Sequence, residues 1–218
     1  MVAMTVIFPS MYGAENSPSA RSGQLWELAK QAGEELDGHG RRVASMVPLI
    51  LLASGYYTDK WVLLALGGLL HDIGKRQIPL NILHAPRRLT QVEWLLMREH
   101  PRLGLNFLEQ TVRGLPQDIA DCVLLHHERW DGKGYPTGVS GEGIPLFARI
   151  IAIADFIDAL ASPRSYKSAV PMSIVRNLVG RESGLMFDPA LAEVTLLIWE
   201  RLIHARWRAD TRSAFTIR

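Results

Sequence analysis

The chain has 218 residues, of which 48% are apolar and 21% charged, and its formal net charge is +2. This composition is typical of one globular domain with its own core, and the nearly balanced charge argues against a dedicated binder of polymeric nucleic acid. The single cysteine, Cys122, excludes a disulfide framework and favours a reducing compartment.

The N-terminal residues 1–24 have neither a basic start nor a sustained apolar core, so they do not read as a signal peptide. The most apolar stretch, residues 43–58, is shorter than a membrane span and contains Pro48. We therefore expect a cytoplasmic protein that makes no membrane contact. Residues 1–20 lack a hydrophobic period and are predicted to be a flexible lead-in to one domain over residues 21–218.

Helical periods begin near residue 24, and a second helix is predicted from about His39 to Ala53, where Gly55 ends it. Thr58 is the predicted N-cap of the next helix, WVLLALGGLL, which leads into the motif HDIGK. Thr90 and Glu93 have the spacing of a capping box, which predicts a further helix start.

The second half of the chain also follows helical periods. A helix over about 118–128 delivers two adjacent histidines, and a loop rich in glycine and proline covers 129–145. Helical sequence resumes in ARIIAIADFIDALAS, and Asp188 with Pro189 predicts the start of a last long helix that reaches about Trp207. No segment alternates as a strand does, so the sequence predicts an all-α fold.

The pairs HD (71–72) and HH (126–127) place potential metal ligands at neighbouring positions, and Asp155 lies within an otherwise apolar helix. Neighbouring residues of a helix point about 100° apart, so both can reach one pocket only where a helix end points into it. Imidazole with carboxylate suits Fe, Mn or Zn better than Ca or Mg, and the lack of thiolates argues against structural zinc. His84 and His204 have no such neighbours and are interpreted as surface or core residues.

The chain resembles the HD-GYP domains, a subgroup of the HD metal-dependent phosphohydrolases. The matching segments stand in the family's order and are HDIGK (71–75), LTQVEWLLMREHP (89–101), HHERWDGKGYP (126–136), IPLFARIIAIADFIDAL (144–160) and FDPAL (187–191). The resemblance implies a single HD-domain helical bundle with a metal centre in its core. It also implies hydrolysis of cyclic di-GMP to linear pGpG, which some members cut on to GMP, by a hydroxide that bridges the metals.

The resemblance further implies two or three divalent ions, Fe or Mn in preference to Zn. The positions that match the family's metal ligands are His39, His71, Asp72, His100, His126, His127 and Asp155. Glu35 matches a third-metal ligand of some members, although Asp37 and Gly38 interrupt its helix. Asp72 matches the bridging carboxylate and Lys75 the lysine beside the scissile phosphate, so these two are the expected catalytic residues.

Lys75, Arg164 and Lys167 match substrate-binding positions by the same resemblance. Tyr135 and Pro136 lie in the loop expected to form a wall of the substrate groove, where Tyr135 offers an aromatic face and a hydroxyl. The segment that holds Arg164 and Lys167 departs from the family at Pro163 and Ser165. Two alternatives remain open. The chain could be a regulatory module that binds cyclic di-GMP or a diguanylate cyclase, or an HD phosphohydrolase that acts on another nucleotide.

Three further residue types receive structural interpretations. Trp130 is interpreted as a packing anchor of the loop and Cys122 as a small core residue. The charge runs Arg41-Arg42 and Arg87-Arg88 are assigned to solvated faces, with packing near the site as the alternative for Arg42.

Overall fold

The computed structural model describes residues 18–56, 58–163 and 168–211. These residues form helices joined by turns, with one isolated bridge between Ser183 and Phe187 and no longer strand among them. The predicted all-α class is therefore confirmed. The helices are α1 Pro18–Glu34, α2 His39–Ala53, α3 Trp61–Leu70, α4 Leu80–Leu83, α5 Gln91–Met97, α6 His100–Thr111, α7 Gln117–Leu125, α8 Leu146–Ala161, α9 Met172–Arg181, α10 Pro189–Leu197 and α11 Trp199–Thr211.

Helix α8 is the centre of the bundle, because its side chains are buried around most of its circumference. Ile150, Ile151, Ile153 and Ile157 are fully buried in a cluster shared with α2, α9, α10 and α11. Burial of an isoleucine side chain stabilises a fold by about 1.5–3 kcal/mol. A second apolar cluster joins α1, α3, α6 and α7. Cys122 is fully buried in the first cluster, which confirms its interpretation as a core residue.

The backbone after the HD motif lies directly against α6. A Cβ atom added to Gly74 would lie 1.9 Å from the carbonyl oxygen of His100, and one added to Gly104 would lie 2.9 Å from Val123 Cγ1. Only residues without a side chain permit this approach. The contact brings the 3-10 segment Ile73–Gln77, which directly follows the HD pair, beside the first turn of α6.

Several predicted boundaries are confirmed. Thr90 and Glu93 form the expected capping box at the start of α5. Asp188 caps α10 by accepting hydrogen bonds from the backbone nitrogens of Ala190 and Leu191. Helix α2 has the predicted limits and includes Pro48.

Three predicted boundaries are wrong. Lys60 is the N-cap of α3, and the Thr58 hydroxyl instead accepts from the Lys60 backbone nitrogen at 3.1 Å, within the preceding turn. Helix α7 ends at Leu125, before the two histidines. The last long helix is broken at Ile198 into α10 and α11, with neither glycine nor proline at the break. Among the described residues, no helix is long and apolar enough to cross a bilayer.

Candidate metal centre

Seven residues of the bundle match metal ligands of the HD-GYP family, and most of them lie at helix ends. His39 and His100 are the first residues of α2 and α6, while His71 and His126 directly follow α3 and α7. Asp155 projects from the middle of α8. The adjacent residues Asp72 and His127 continue two of these ends. Because helix ends converge here, neighbouring residues of the HD and HH pairs can face the same space.

Asp72 lies between two groups of histidines, and each of its carboxylate oxygens faces one group. Oδ2 lies 3.5 Å from His39 Nε2 and 3.4 Å from His71 Nε2. Oδ1 lies 3.2 Å from His100 Nε2 and 3.8 Å from His126 Nε2. A carboxylate in this position can serve two cations at once.

The ligand atoms form two groups, each within 4.8 Å internally. We call His39, His71 and Asp72 site A, and Asp72, His100, His126 and His127 site B. Asp155 adjoins site A, with its Oδ1 atom 3.1 Å from His39 Nε2 and 3.9 Å from His71 Nε2. All these residues are buried or half-buried.

In site B, main-chain carbonyls fix which ring nitrogens can bind a cation. His100 Nδ1 lies 2.8 Å from the carbonyl oxygen of Met97, and His126 Nδ1 lies 2.9 Å from that of Val123. A carbonyl only accepts hydrogen bonds, so both Nδ1 atoms carry the hydrogen and both Nε2 atoms carry a lone pair. The two Nε2 atoms are 3.2 Å apart. Lone pairs this close repel unless a positive charge lies beside them, and a divalent cation would supply it.

Site A follows the same rule with one different partner. His71 Nδ1 donates to the carbonyl oxygen of Gly68 at 2.9 Å, whereas His39 Nδ1 donates to the Asp158 carboxylate at 2.7 Å. The Nε2 atoms of His39 and His71 therefore face each other at 3.2 Å. Partners of this kind fix the tautomer of histidine ligands in metal proteins.

Asp72 is anionic and incompletely partnered. Burial raises the pKa of its carboxyl, but the Lys75 ammonium and the neighbouring imidazoles of His71 and His100 lower it by more, so the pKa lies well below the usual range. Lys75 Nζ donates to Oδ2 at 2.5 Å. Oδ1 is buried and makes no hydrogen bond with any described residue, although His100 lies close to it. A buried anionic oxygen without a hydrogen bond, beside convergent imidazole lone pairs, fits a divalent cation.

The two sites differ in their electrostatics. Burial lowers the pKa of His39, but hydrogen bonds to Asp155 and Asp158 outweigh it and raise the pKa to about 9. In site B, burial and the neighbouring imidazoles hold the pKa of His126 well below its usual range. Burial also lowers the pKa of His127 to about 3. Burial raises the pKa of Asp155, but its hydrogen bond with His39 leaves that pKa far below normal.

The loop after the HH pair places Tyr135 beside site B. Its ring stacks on His127 with 4.7 Å between centroids, and the Arg98 guanidinium lies 4.4 Å from the centre of the Tyr135 ring. Arg102 donates to the carbonyl oxygen of Pro136 at 3.1 Å. Burial, reinforced by Asp72 and Asp155, raises the pKa of the Tyr135 hydroxyl above its usual value, so the phenol stays protonated.

Glu128 holds the backbone of this loop. Its carboxylate is 2% exposed and accepts hydrogen bonds from the Thr137 nitrogen, the Thr137 hydroxyl and the Gly138 nitrogen, at 2.6, 2.8 and 3.1 Å. A carboxylate that accepts several backbone donors fixes the loop conformation. Trp130 is half-buried beside Arg149, and its backbone nitrogen donates to the carbonyl oxygen of Met186.

Three predicted site residues have a different outcome. The Glu35 carboxylate is exposed and accepts two hydrogen bonds from Arg76, at 2.7 and 2.8 Å, and it belongs to neither site. Its role as a third-metal ligand stays a prediction. Arg164 and Lys167 lie outside the described residues.

Sequence reasoning missed the partners behind His39. Asp158 is fully buried, and Arg42 donates to it in bidentate fashion. Arg42 is only 5% exposed, because an ion pair with a buried carboxylate holds it in the core. Its assignment to a solvated face is therefore wrong, and the alternative of packing near the site is correct. The available signal was the spacing of Asp155 and Asp158, three residues apart in an apolar helix and therefore on one face.

A family model described as HD domain matches residues 24–191, which is most of the chain. The chain belongs to the HD domain family. Its motifs HDIGK and HHERWDGKGYP are those of the HD-GYP subgroup. The solved structure of Bd1817, an HDG"Y"P protein from Bdellovibrio bacteriovorus, matches with a TM-score of 0.64 at 19% identity, covering 84% of this chain and 64% of that one. At this identity, the match supports the HD fold alone.

Curated relatives of this HD-domain chain are longer proteins. The 3'3'-cGAMP-specific phosphodiesterase 2 of Vibrio cholerae is 34% identical over 90% of this chain and 35% of that protein. A cyclic di-GMP phosphodiesterase of the same organism is 41% identical over 62% of this chain and 28% of the relative. The cyclic di-GMP phosphodiesterase response regulator RpfG of Xanthomonas campestris is 38% identical over 71% of this chain and 41% of the relative. The chain thus spans less than half the length of each.

Proposed function

We propose that the chain is a metal-dependent phosphodiesterase that hydrolyses cyclic di-GMP to linear pGpG. The observation that carries this proposal is the position of Asp72 between site A and site B, with one carboxylate oxygen toward each. The names of the relatives, which include cyclic di-GMP phosphodiesterases, support the substrate class.

The ligand set supports two divalent ions, and we expect Fe or Mn, because mixed imidazole and carboxylate donors suit first-row metals. When bound, such ions would act as Lewis acids toward a phosphodiester and lower the pKa of the attacking water. Three of the ligand imidazoles, His71, His100 and His126, have their Nε2 atoms set as ligands by carbonyl partners of Nδ1. His39, with its pKa raised to about 9, must release a proton before it can bind a cation. The protein therefore presents the three carbonyl-bound imidazoles without rearranging their hydrogen bonds.

Lys75 and Tyr135 are the proposed contacts to the dinucleotide from the described part of the chain. The Lys75 side chain is 20% exposed beside Asp72, so its ammonium can approach a phosphate oxygen from the open side and neutralise charge that develops there. Tyr135 offers a protonated hydroxyl and a ring that contacts both His127 and Arg98. Pro136, Arg164 and Lys167 complete the proposed substrate contacts.

A second candidate substrate is 3'3'-cGAMP. The relative that covers 90% of this chain is named for that dinucleotide, and site A and site B carry nothing that distinguishes the two bases. Discrimination between cyclic di-GMP and 3'3'-cGAMP would have to come from residues near the Tyr135 loop that contact the base edges. A site that hydrogen-bonds one base rejects a base that cannot form the same bonds.

The test is a product time course with purified protein loaded anaerobically with Fe²⁺ or with Mn²⁺. Cyclic di-GMP and 3'3'-cGAMP are supplied separately, and products are separated by chromatography. We expect linear pGpG from cyclic di-GMP, formed faster than linear product from 3'3'-cGAMP. Faster cleavage of 3'3'-cGAMP would assign the second substrate. Binding of either dinucleotide without cleavage by fully loaded protein would contradict the proposal and favour a regulatory module.

A further inference from the structure

Helix α11 lies outside the segment matched by the family model, yet it contacts Asp158, the residue that accepts a hydrogen bond from the site A ligand His39. Arg206 Nε donates to Asp158 Oδ1 at 2.6 Å, and its Nη2 atom donates to the Ser162 hydroxyl at 2.7 Å. The matched segment ends at residue 191, and α11 begins at Trp199. The contact therefore comes from a part of the chain that the family pattern does not describe.

Asp158 is held by two guanidinium groups from different helices. Arg42 on α2 donates from Nε to Oδ1 at 2.8 Å and from Nη2 to Oδ2 at 3.1 Å. Arg42 Nη1 also donates to Asp210 of α11 at 2.9 Å. Two carboxylates and two guanidiniums thus join α2, α8 and α11. Because Asp158 is fully buried, its charge depends on these partners for compensation.

Through Asp158 this network reaches His39. The hydrogen-bond partner of His39 Nδ1 therefore differs in kind from the partners of the other ligand histidines. The carbonyl partners of His71, His100 and His126 are each three residues earlier in the chain, so local helix geometry fixes those rings. His39 instead donates to a side chain 119 residues away. Its ring orientation consequently depends on how the two arginines hold Asp158.

We propose that Arg206 is a positioning residue for site A: by fixing Asp158, it orients the His39 imidazole and raises the metal affinity of site A over that of a chain without this contact. The inference rests on the proposed metal centre but not on the identity of the substrate. Loss of a residue that supports a metal ligand typically weakens metal affinity about 10- to 100-fold. Site B has its own local supports, so its affinity should not change.

The experiment compares Arg206→Gln with Arg208→Gln, which removes an exposed charge from the same helix. The metal-free chain is titrated with Mn²⁺, and the two binding steps are followed by calorimetry and by elemental analysis after dialysis. For Arg206→Gln, we expect one step to weaken about 10- to 100-fold while the other is unchanged. For Arg208→Gln, both steps should match the wild type.

Thermal unfolding separates positioning from general stability. A purely structural role lowers Tm equally with and without Mn²⁺, whereas a positioning role reduces the rise in Tm that Mn²⁺ produces. If Arg206→Gln does not fold, Arg206→Lys keeps the charge but loses the two-point contact with Asp158 and Ser162, and should weaken one step by a smaller factor.

Three results would overturn the inference. The first is unchanged Mn²⁺ affinity in Arg206→Gln and Arg206→Lys, whichever of them folds. The second is equal weakening of both binding steps by a substitution at Arg206. The third is a wild-type protein that binds no Mn²⁺. The proposed function can fail independently, because a protein that binds two ions and responds to Arg206→Gln without cleaving cyclic di-GMP would keep the inference and lose the activity.

Discussion

Site A and site B share Asp72 and contain the same ligand types, but the protein supports them differently. In site B, His100 and His126 donate to neutral main-chain carbonyls, and burial lowers the pKa of the imidazole of His126. In site A, His39 donates to a buried carboxylate, and its pKa rises to about 9. The group that accepts from Nδ1 therefore affects whether the imidazole holds a proton before a cation arrives.

The largest expected effect comes from Asp72→Ala, because this change removes the one ligand that the two sites share. We expect both metal equivalents to be lost and turnover to fall more than about 100-fold, beyond the range typical of residues that only support a ligand. Elemental analysis after dialysis and initial rates at saturating cyclic di-GMP measure the two effects. Full metal content with full activity in this variant would refute the shared-ligand interpretation.

The next prediction changes one histidine of each site and measures how the free energy of unfolding of the metal-free protein depends on pH. Between about pH 6.5 and 3, the unfolded chain protonates His127 and the folded chain does not, because burial lowers the folded pKa to about 3. The free energy of unfolding should therefore fall as the pH falls through this window. One such proton accounts for at most about 1.4 kcal/mol per pH unit.

For His39, the free energy of unfolding changes with pH in the opposite direction. Its folded pKa of about 9 lies above that of the unfolded chain, so its contribution is complete at low pH and is lost as the pH rises from about 6.5 to 9. In urea unfolding of metal-free protein, His127→Gln should flatten the acid side of the stability profile and His39→Gln the alkaline side. Identical profiles for the two variants would contradict the electrostatic difference between the sites.

A smaller effect is expected at the rim of site B. Arg98→Ala removes the guanidinium from the face of the Tyr135 ring, a contact worth about 0.5–1 kcal/mol at a partly exposed position. We expect KM for cyclic di-GMP to rise about two- to fivefold with little change in kcat. Arg88→Ala, which removes an exposed arginine from the preceding loop, is the control and should leave KM unchanged. A change in kcat alone would contradict a role in holding the ring.

Adjacency in the sequence predicted four of the groups that meet in the centre, because the HD and HH pairs supply neighbouring donors where a helix ends. His39 and His100 followed only from the resemblance to HD-GYP domains. The sequence predicted the start of α10, since Asp188 followed by Pro189 is a local capping signal. It did not predict the break at Ile198, where no glycine or proline marks the end of a helix. It offered the burial of Arg42 only as an alternative, because the compensating carboxylate of Asp158 is 116 residues away.

Anomalous diffraction from crystals grown with Mn²⁺ tests the central claim most directly. The account predicts two peaks, one among the donor atoms of site A and one among those of site B, with a carboxylate oxygen of Asp72 next to each. Crystals that contain Mn²⁺ only at the surface, with none between Asp72 and the imidazoles, would contradict it.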